Sequence, residues 1–127
     1  MKICSKCRVE KMESEFSRYR RRRSGFRSEC LECARKAYWA LTPEERSRRA
    51  FKNKCSRYGI STEDFEKMLR EQAGKCRICK RDERLHIDHC HSTGGVRGLL
   101  CFNCNAALGL LKEDPELFLA ARDYLRR

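Results

Sequence analysis

The stretch "HIDHCHSTGGVRGLLCFNCN", residues 86–105, decides how this chain reads. All three histidines of the protein fall in its first six positions, and a CxxC pair closes it. "RLHID" alternates as a strand does, "STGG" is a turn, and "VRGLL" is a second short strand. "CFNCNAALGLLKE" then reads as a helix that begins at the second CxxC. The expected order of this half is knuckle, strand, turn, strand, knuckle, helix.

The cysteines fall into two similar sets. Cys4, Cys7, Cys30 and Cys33 make C-x2-C-x22-C-x2-C, and Cys76, Cys79, Cys101 and Cys104 make C-x2-C-x21-C-x2-C. A CxxC curls as a knuckle that offers two thiolates to one ion, so two knuckles close a tetrahedral four-sulfur site. Two structural Zn²⁺ ions are therefore expected. The alternative, a disulfide framework, belongs to oxidising compartments. "MKICSKCRVEKMESEF" has no apolar core of a secretion signal, so an intracellular, cytoplasmic protein with reduced thiols is expected. Cys55 is left as a small buried hydrophobe, and Cys90 as an inward-facing strand residue. At 127 residues the chain is one domain or two very small ones, short of apolar core and in need of such staples.

The net charge is +12, and it is unevenly placed. Residues 1–57 hold 18 Lys/Arg against 7 Asp/Glu, whereas residues 58–127 hold 12 against 11. Arg18, Arg20, Arg21, Arg22, Arg23 and Arg27 form the densest run. Such a block is the electrostatic footprint of a polyanion binder, so nucleic-acid backbone contacts are assigned to Arg20, Arg21, Arg22, Arg23 and Arg27. Tyr19, Phe26, Tyr38 and Trp39 lie among these charges; such rings can stack on bases, but most of them are expected to be small-core packing. Arg97 can reach a phosphate or pair with an acidic group.

Helical signals fill the middle and the end. One helix is expected over 31–41, and "TPEE" restarts a second to about residue 57, with Thr42 as cap and Glu45 closing the box. "ISTEDFEKMLREQAG" is capped by Ser61 or Thr62 and carries a core stripe of Phe65, Met68 and Leu69. A last helix begins at Asp114 and Pro115. The domains follow: 1–41 a four-cysteine module with a basic helix, 42–57 a basic helical connector, and 58–127 the unit that carries the histidine hairpin and the second cysteine set.

With four cysteines filling each zinc sphere, the histidines are free for chemistry. On a regular strand Asp88 and Cys90 would project opposite to His89 and His91, and a strand end or bulge would relax that rule. A carboxylate and an amide oxygen can hold Mg²⁺, and a neutral imidazole can take a proton from an attacking water.

The segment "YGISTEDFEKMLREQAGKCRICK…LHIDHCHSTGGVRGLLCFNCNAALGLL" resembles the recombination endonuclease VII family of phage nucleases, within the His-Me finger (ββα-metal, HNH-like) superfamily. The likeness covers about residues 58–112 and rests on CxxC, "DHCH", "VRGLLC" and "CN" together. It implies a small α+β chain whose ββα-metal core is tied by zinc at Cys76, Cys79, Cys101 and Cys104. A zinc-knuckle module and basic helices precede that core. The resemblance further implies His89 as general base and Asp88 and Asn105 as ligands of a catalytic Mg²⁺ or Mn²⁺. His91, and with it His86, would contact the scissile phosphate or orient the site. The expected function is metal-dependent cleavage of DNA, a monomer nicking one strand, with branched DNA one candidate substrate. Monomer and homodimer both stay open. The competing expectation is a zinc-stabilised nucleic-acid-binding module with a silent nuclease centre.

Overall fold

The computed structural model describes residues 1–127. The chain divides into two compact units, Met1–Ala50 and Phe51–Arg127. The first contains β1 (Lys2–Ile3), β2 (Glu10–Lys11), β3 (Phe16–Arg18), β4 (Phe26–Cys30) and α1 (Leu31–Trp39). α2 (Pro43–Arg57) runs across the division. The second unit continues with α3 (Thr62–Glu71), β5 (Leu85–His89), β6 (Val96–Cys101), α4 (Phe102–Leu110) and α5 (Pro115–Leu125). Three two-stranded antiparallel sheets, β1–β2, β3–β4 and β5–β6, make this a small α+β protein. No helix is long and apolar enough to cross a membrane.

Local chemistry sets the helix starts. At α2, Glu45 N–H donates to Thr42 Oγ1 (3.2 Å) while Glu45 Oε2 accepts from Thr42 N–H (2.8 Å), the reciprocal box that satisfies two orphan donors. Ser61 and Asp64 do the same for α3, at 3.0 and 2.9 Å. Asp114 Oδ1 accepts from Glu116 N–H at 2.9 Å at the start of α5, where Pro115 loses no needed donor.

Both units repeat one local design. Cys4 N–H donates to the Val9 carbonyl and Arg8 N–H to the Cys4 carbonyl; Cys76 N–H donates to Arg81 and Lys80 N–H to Cys76, all at 2.9–3.0 Å. Arg8 and Lys80 sit at the same left-handed corner, with φ of 61° and 60°. A hairpin strand follows, and its last cysteine, Cys30 or Cys101, is the N-cap of the next helix. Cys33 and Cys104 then point back from the first helical turn.

The first unit's core is thin: Phe16 with Cys4 and Cys30, flanked by Phe26 and Cys33. Its basic run is no free tail, since Arg20–Arg23 form the exposed turn that joins β3 to β4. Tyr38 and Trp39 correct the expectation of core packing, being 38 % and 65 % exposed. In the second unit Ile87, Leu99 and Cys55 are buried beneath Phe51, Tyr58, Phe65, Met68 and Leu69. Cys55 is thus the expected small buried hydrophobe. Gln72 of the α3 end pairs its amide with the Leu99 backbone, accepting at 3.0 Å and donating at 2.8 Å. That pairing pins α3 to the hairpin. It also explains Gly98, where an added Cβ would lie 2.9 Å from Arg77 and 3.2 Å from Gln72 Oε1.

Candidate active site and metal centres

The two cysteine sets each converge. In both, the four sulfur atoms lie within 4.8 Å of one another, and none is in a disulfide. Cys79 and Cys101 sulfurs are 3.8 Å apart. Four sulfurs at about 2.3 Å from a tetrahedral Zn²⁺ stand about 3.8 Å apart, against about 2.05 Å in a disulfide. The donor set therefore suits zinc.

The thiols also press for a cation. Burial pushes the Cys4 and Cys76 thiols up, but backbone N–H donors and neighbouring thiols outweigh it, leaving each at about 6. Cys33 is pushed up to about 12, first by its hydrogen bond to Cys30 and then by burial. Cys104 also reaches about 12, first by burial and then by the neighbouring cysteines. One thiolate per cluster suppresses its neighbours, and a divalent ion relieves that repulsion.

The histidine stretch is shaped by a bulge. Along the hairpin Ile87 pairs with Leu99 and Asp88 with Gly98, but His89 pairs with Val96, so Arg97 is the extra residue on β6. Asp88 is 5 % exposed, and Arg97 grips both its oxygens: Nε to Oδ2 at 2.7 Å and Nη2 to Oδ1 at 2.9 Å. The same guanidinium donates to Glu113 Oε1 at 3.1 Å and Oε2 at 3.3 Å. Glu113 Oε1 in turn accepts from His91 Nδ1 at 2.5 Å. A carboxylate can only accept there, so Nδ1 carries the proton and Nε2 is left free. His91 and Arg97 hold the Glu113 carboxyl below its ordinary range. The His91 and His89 rings are 4.9 Å apart, and Tyr58 meets His89 edge-on at 5.2 Å. Asp88, Arg97, Glu113, His91 and His89 thus form one continuous chain of contacts around the bulged end of β5. It borders a cleft of about 640 Å³ lined by His91, Arg97, Lys112 and Glu113.

The expected site residues are unevenly gathered. The rings of His89 and His91 come together, and Asp88 is linked to His91 through Arg97 and Glu113. Asn105 lies half-buried on the first turns of α4, directly after Cys104, and α4 packs on both strands of the hairpin. His86 stands three residues before His89, about 10 Å along the strand, with its ring 6.5 Å from that of Phe102. Cys90 is not an inward strand residue: it lies just past β5, half-exposed, its sulfur 3.0 Å from the Ser92 hydroxyl. Hydrogen bonds from Ser92 and then Thr93 lower its thiol to about 6. Of the two roles open to Arg97, the structure shows pairing with acids.

Glu113 and Tyr58 are additions that the sequence did not single out. Tyr58 reaches His89 from the end of α2, where Gly59 (φ 72°) breaks the helix. Glu113 is delivered by two successive non-glycine residues in the left-handed region, Lys112 at φ 55° and Glu113 at 57°. Its N–H donates to the Leu108 carbonyl at 2.8 Å, closing the end of α4. Left-handed backbone at such residues costs about 1 kcal/mol or more each and persists only where contacts enforce it.

Comparison with known proteins adds an independent line. The model of the family described as recombination endonuclease VII matches residues 51–127. The chain belongs to the recombination endonuclease VII family. The resemblance read from the hairpin and its cysteines is therefore borne out, and the match spans the whole second unit. Among curated proteins, the chain is similar to "Gene 59 protein" of Mycobacterium phage D29, 44% identical over 75 residues, covering 55% of this chain and 46% of that protein. "Gene 59 protein" of Mycobacterium phage L5 is 42% identical over 73 residues, covering 54% and 44%. The chain spans about half the length of these curated relatives. Among solved structures it is similar to the beta-beta-alpha-Me type II restriction endonuclease Hpy99I, at 25% identity and a TM-score of 0.41, covering 98% of this chain and 64% of that one.

Proposed function

We propose that this endonuclease VII-family protein cuts DNA by hydrolysis at the bulged end of its β5–β6 hairpin. The observation that carries the reading is the juxtaposition there: the His89 ring between Tyr58 and His91, one residue from the buried carboxylate Asp88. A nearly buried carboxylate must be paired, and titratable groups beside a cleft mark a candidate functional site. In this reading His89 takes the proton from an attacking water. His91, oriented by Glu113, presents Nε2 to the phosphate, and Lys112 adds positive charge to the cleft.

A carboxylate and an amide oxygen are donors of the kind a hard divalent cation takes. Asp88 is nearly out of water yet already satisfied by a cation, Arg97, whose place such an ion can share or take. Asp88 and Asn105 would hold Mg²⁺ or Mn²⁺, which supplies charge for the phosphate and the leaving oxygen. The two four-cysteine groups would hold structural zinc. Residues 1–41 would bind the DNA backbone through Arg20–Arg23 and Arg27, residues 42–57 through Arg48, Lys52 and the other basic residues of α2, and 58–127 would cut. One such site makes one cut, so a nick is the expected product and branched DNA remains a candidate substrate.

One observation favours a second reading. Arg97 engages both Asp88 oxygens, and if that clasp never yields, the centre is silent and the protein is a zinc-stabilised DNA-binding module.

Supercoiled-plasmid cleavage by zinc-loaded protein, with and without Mg²⁺ and beside His89→Ala, separates the two. Mg²⁺-dependent open circles that vanish in the variant support the nuclease. No cleavage of supercoiled, linear or four-way DNA, with salt-sensitive binding retained, refutes it.

A further inference from the structure

The corner between α1 and α2 holds an aromatic surface that no core uses. Trp39 is 65 % exposed and Tyr38 38 %, and their rings meet edge to face with centroids 5.4 Å apart. Each ring carries a guanidinium: Arg46 lies 5.3 Å from the Trp39 centroid and Arg49 6.0 Å from that of Tyr38. Arg46 is held in place by its Nη1, which donates to the Leu41 carbonyl at 2.6 Å. Arg35, one helical turn before Trp39, shares its face of α1. The acidic neighbours Glu44 and Glu45 begin α2, and Glu45 is already engaged in the Thr42 cap.

Two exposed rings in contact, each with an arginine against it, form a patch rather than a lone surface residue, and such a patch suits an occupant. A second copy of this chain is a poor one, because the corner is rich in arginine and each copy carries a net +12. A polyanion with flat apolar faces matches both features. Nucleic acid is such a polymer, and rings interleaved with arginines are how single strands are gripped without sequence readout. In a duplex the base faces are covered by their neighbours, so a side-chain ring can stack only where a nucleotide is unpaired.

We infer that Trp39, with Tyr38 and Arg46 around it, is a stacking site for an unpaired base of single-stranded DNA. Arg35 and Arg49 take the flanking phosphates. The inference rests on the DNA-binding part of the proposed function and narrows its substrate class to DNA that contains unpaired nucleotides.

Trp39 is the protein's one tryptophan, so its emission reports this site alone. The zinc-loaded full chain, without magnesium, is titrated with a short oligodeoxythymidylate and separately with a duplex of equal length. The single strand is expected to quench the emission saturably and the duplex to leave it unchanged. By anisotropy of the labelled oligonucleotide, Trp39→Ala is expected to weaken binding about tenfold, and Trp39→Phe by less than about threefold. Circular dichroism and zinc content check that both variants fold. Binding without quenching, equal quenching by the duplex, or an alanine variant that binds like wild type would each overturn the inference. So would an emission change that follows protein concentration alone, which would assign the corner to a second copy. No cleavage is needed for this readout. A protein that stacks but does not nick refutes the nuclease, and one that nicks but does not stack refutes only the stacking site.

Discussion

Replacing Arg97 by methionine keeps most of the side chain's bulk and removes its charge, which breaks the clasp on Asp88 together with the more exposed pair to Glu113. The carboxylate is 5 % exposed and accepts twice from Arg97, whose own side chain is 39 % exposed. Breaking a fully buried pair costs about 3–5 kcal/mol, whereas an exposed pair is worth about 0–1. With one partner buried and the other partly in water, about 2 kcal/mol is expected. For a unit of this size that is a fall in Tm of roughly 10 °C. A divalent ion bound at Asp88 supplies the missing positive charge, and at about a hundredfold its Kd it returns about 2.7 kcal/mol. In wild type the ion competes with Arg97 and gains less. Thermal unfolding of zinc-loaded wild type and Arg97→Met, with and without Mg²⁺, is therefore expected to show a gap that Mg²⁺ closes. A gap that Mg²⁺ leaves unchanged refutes Asp88 as the ligand under the clasp. No gap in magnesium-free buffer refutes the burial argument itself.

Glu113→Gln leaves His91 without its anionic acceptor and Arg97 without its second one; Mg²⁺-dependent nicking is expected to fall about tenfold or more, with zinc content unchanged. Zinc affinity should steepen with acid. Cys4 and Cys76 are held near 6, below an unfolded thiol, so the stability their thiolates contribute is present above the ordinary thiol value and lost as pH falls through about 6. Below that pH each zinc must displace one more proton, and competition with a chromophoric chelator should show the slope of log K against pH rise by about one per site. Replacing Arg20–Arg23 by serine should lower the salt dependence of duplex binding by about 3 to 4 in log K against log salt, if all four neutralise phosphates. An unchanged slope removes that turn from the DNA interface.

The elements visible in the sequence are those whose signals are local. Thr42 with Glu45 and Ser61 with Asp64 announce helix starts because the cap and its partner lie within one turn. The stripe of Phe65, Met68 and Leu69 announces the face that covers Ile87 and Leu99, because helical period maps directly onto burial. Trp39 was misjudged for the opposite reason: aromatic character predicts burial only where a core exists to receive it, and the first unit buries just Phe16 with two cysteines. The β1–β2 and β3–β4 hairpins were also missed, since pairs of two or three residues are too short to show alternation.

Two zinc-suited clusters, a hairpin between CxxC pairs and the helix starts were determined by the sequence alone, because fixed spacings and caps act over a few residues. Tertiary structure alone decided the bulge at Arg97, the clasp on Asp88, the arrival of Glu113 through two left-handed residues and the exposure of Trp39. Each depends on which surface packs against which, and residues 16 or more apart in the chain, such as Arg97 and Glu113, carry no shared period to reveal that they will meet.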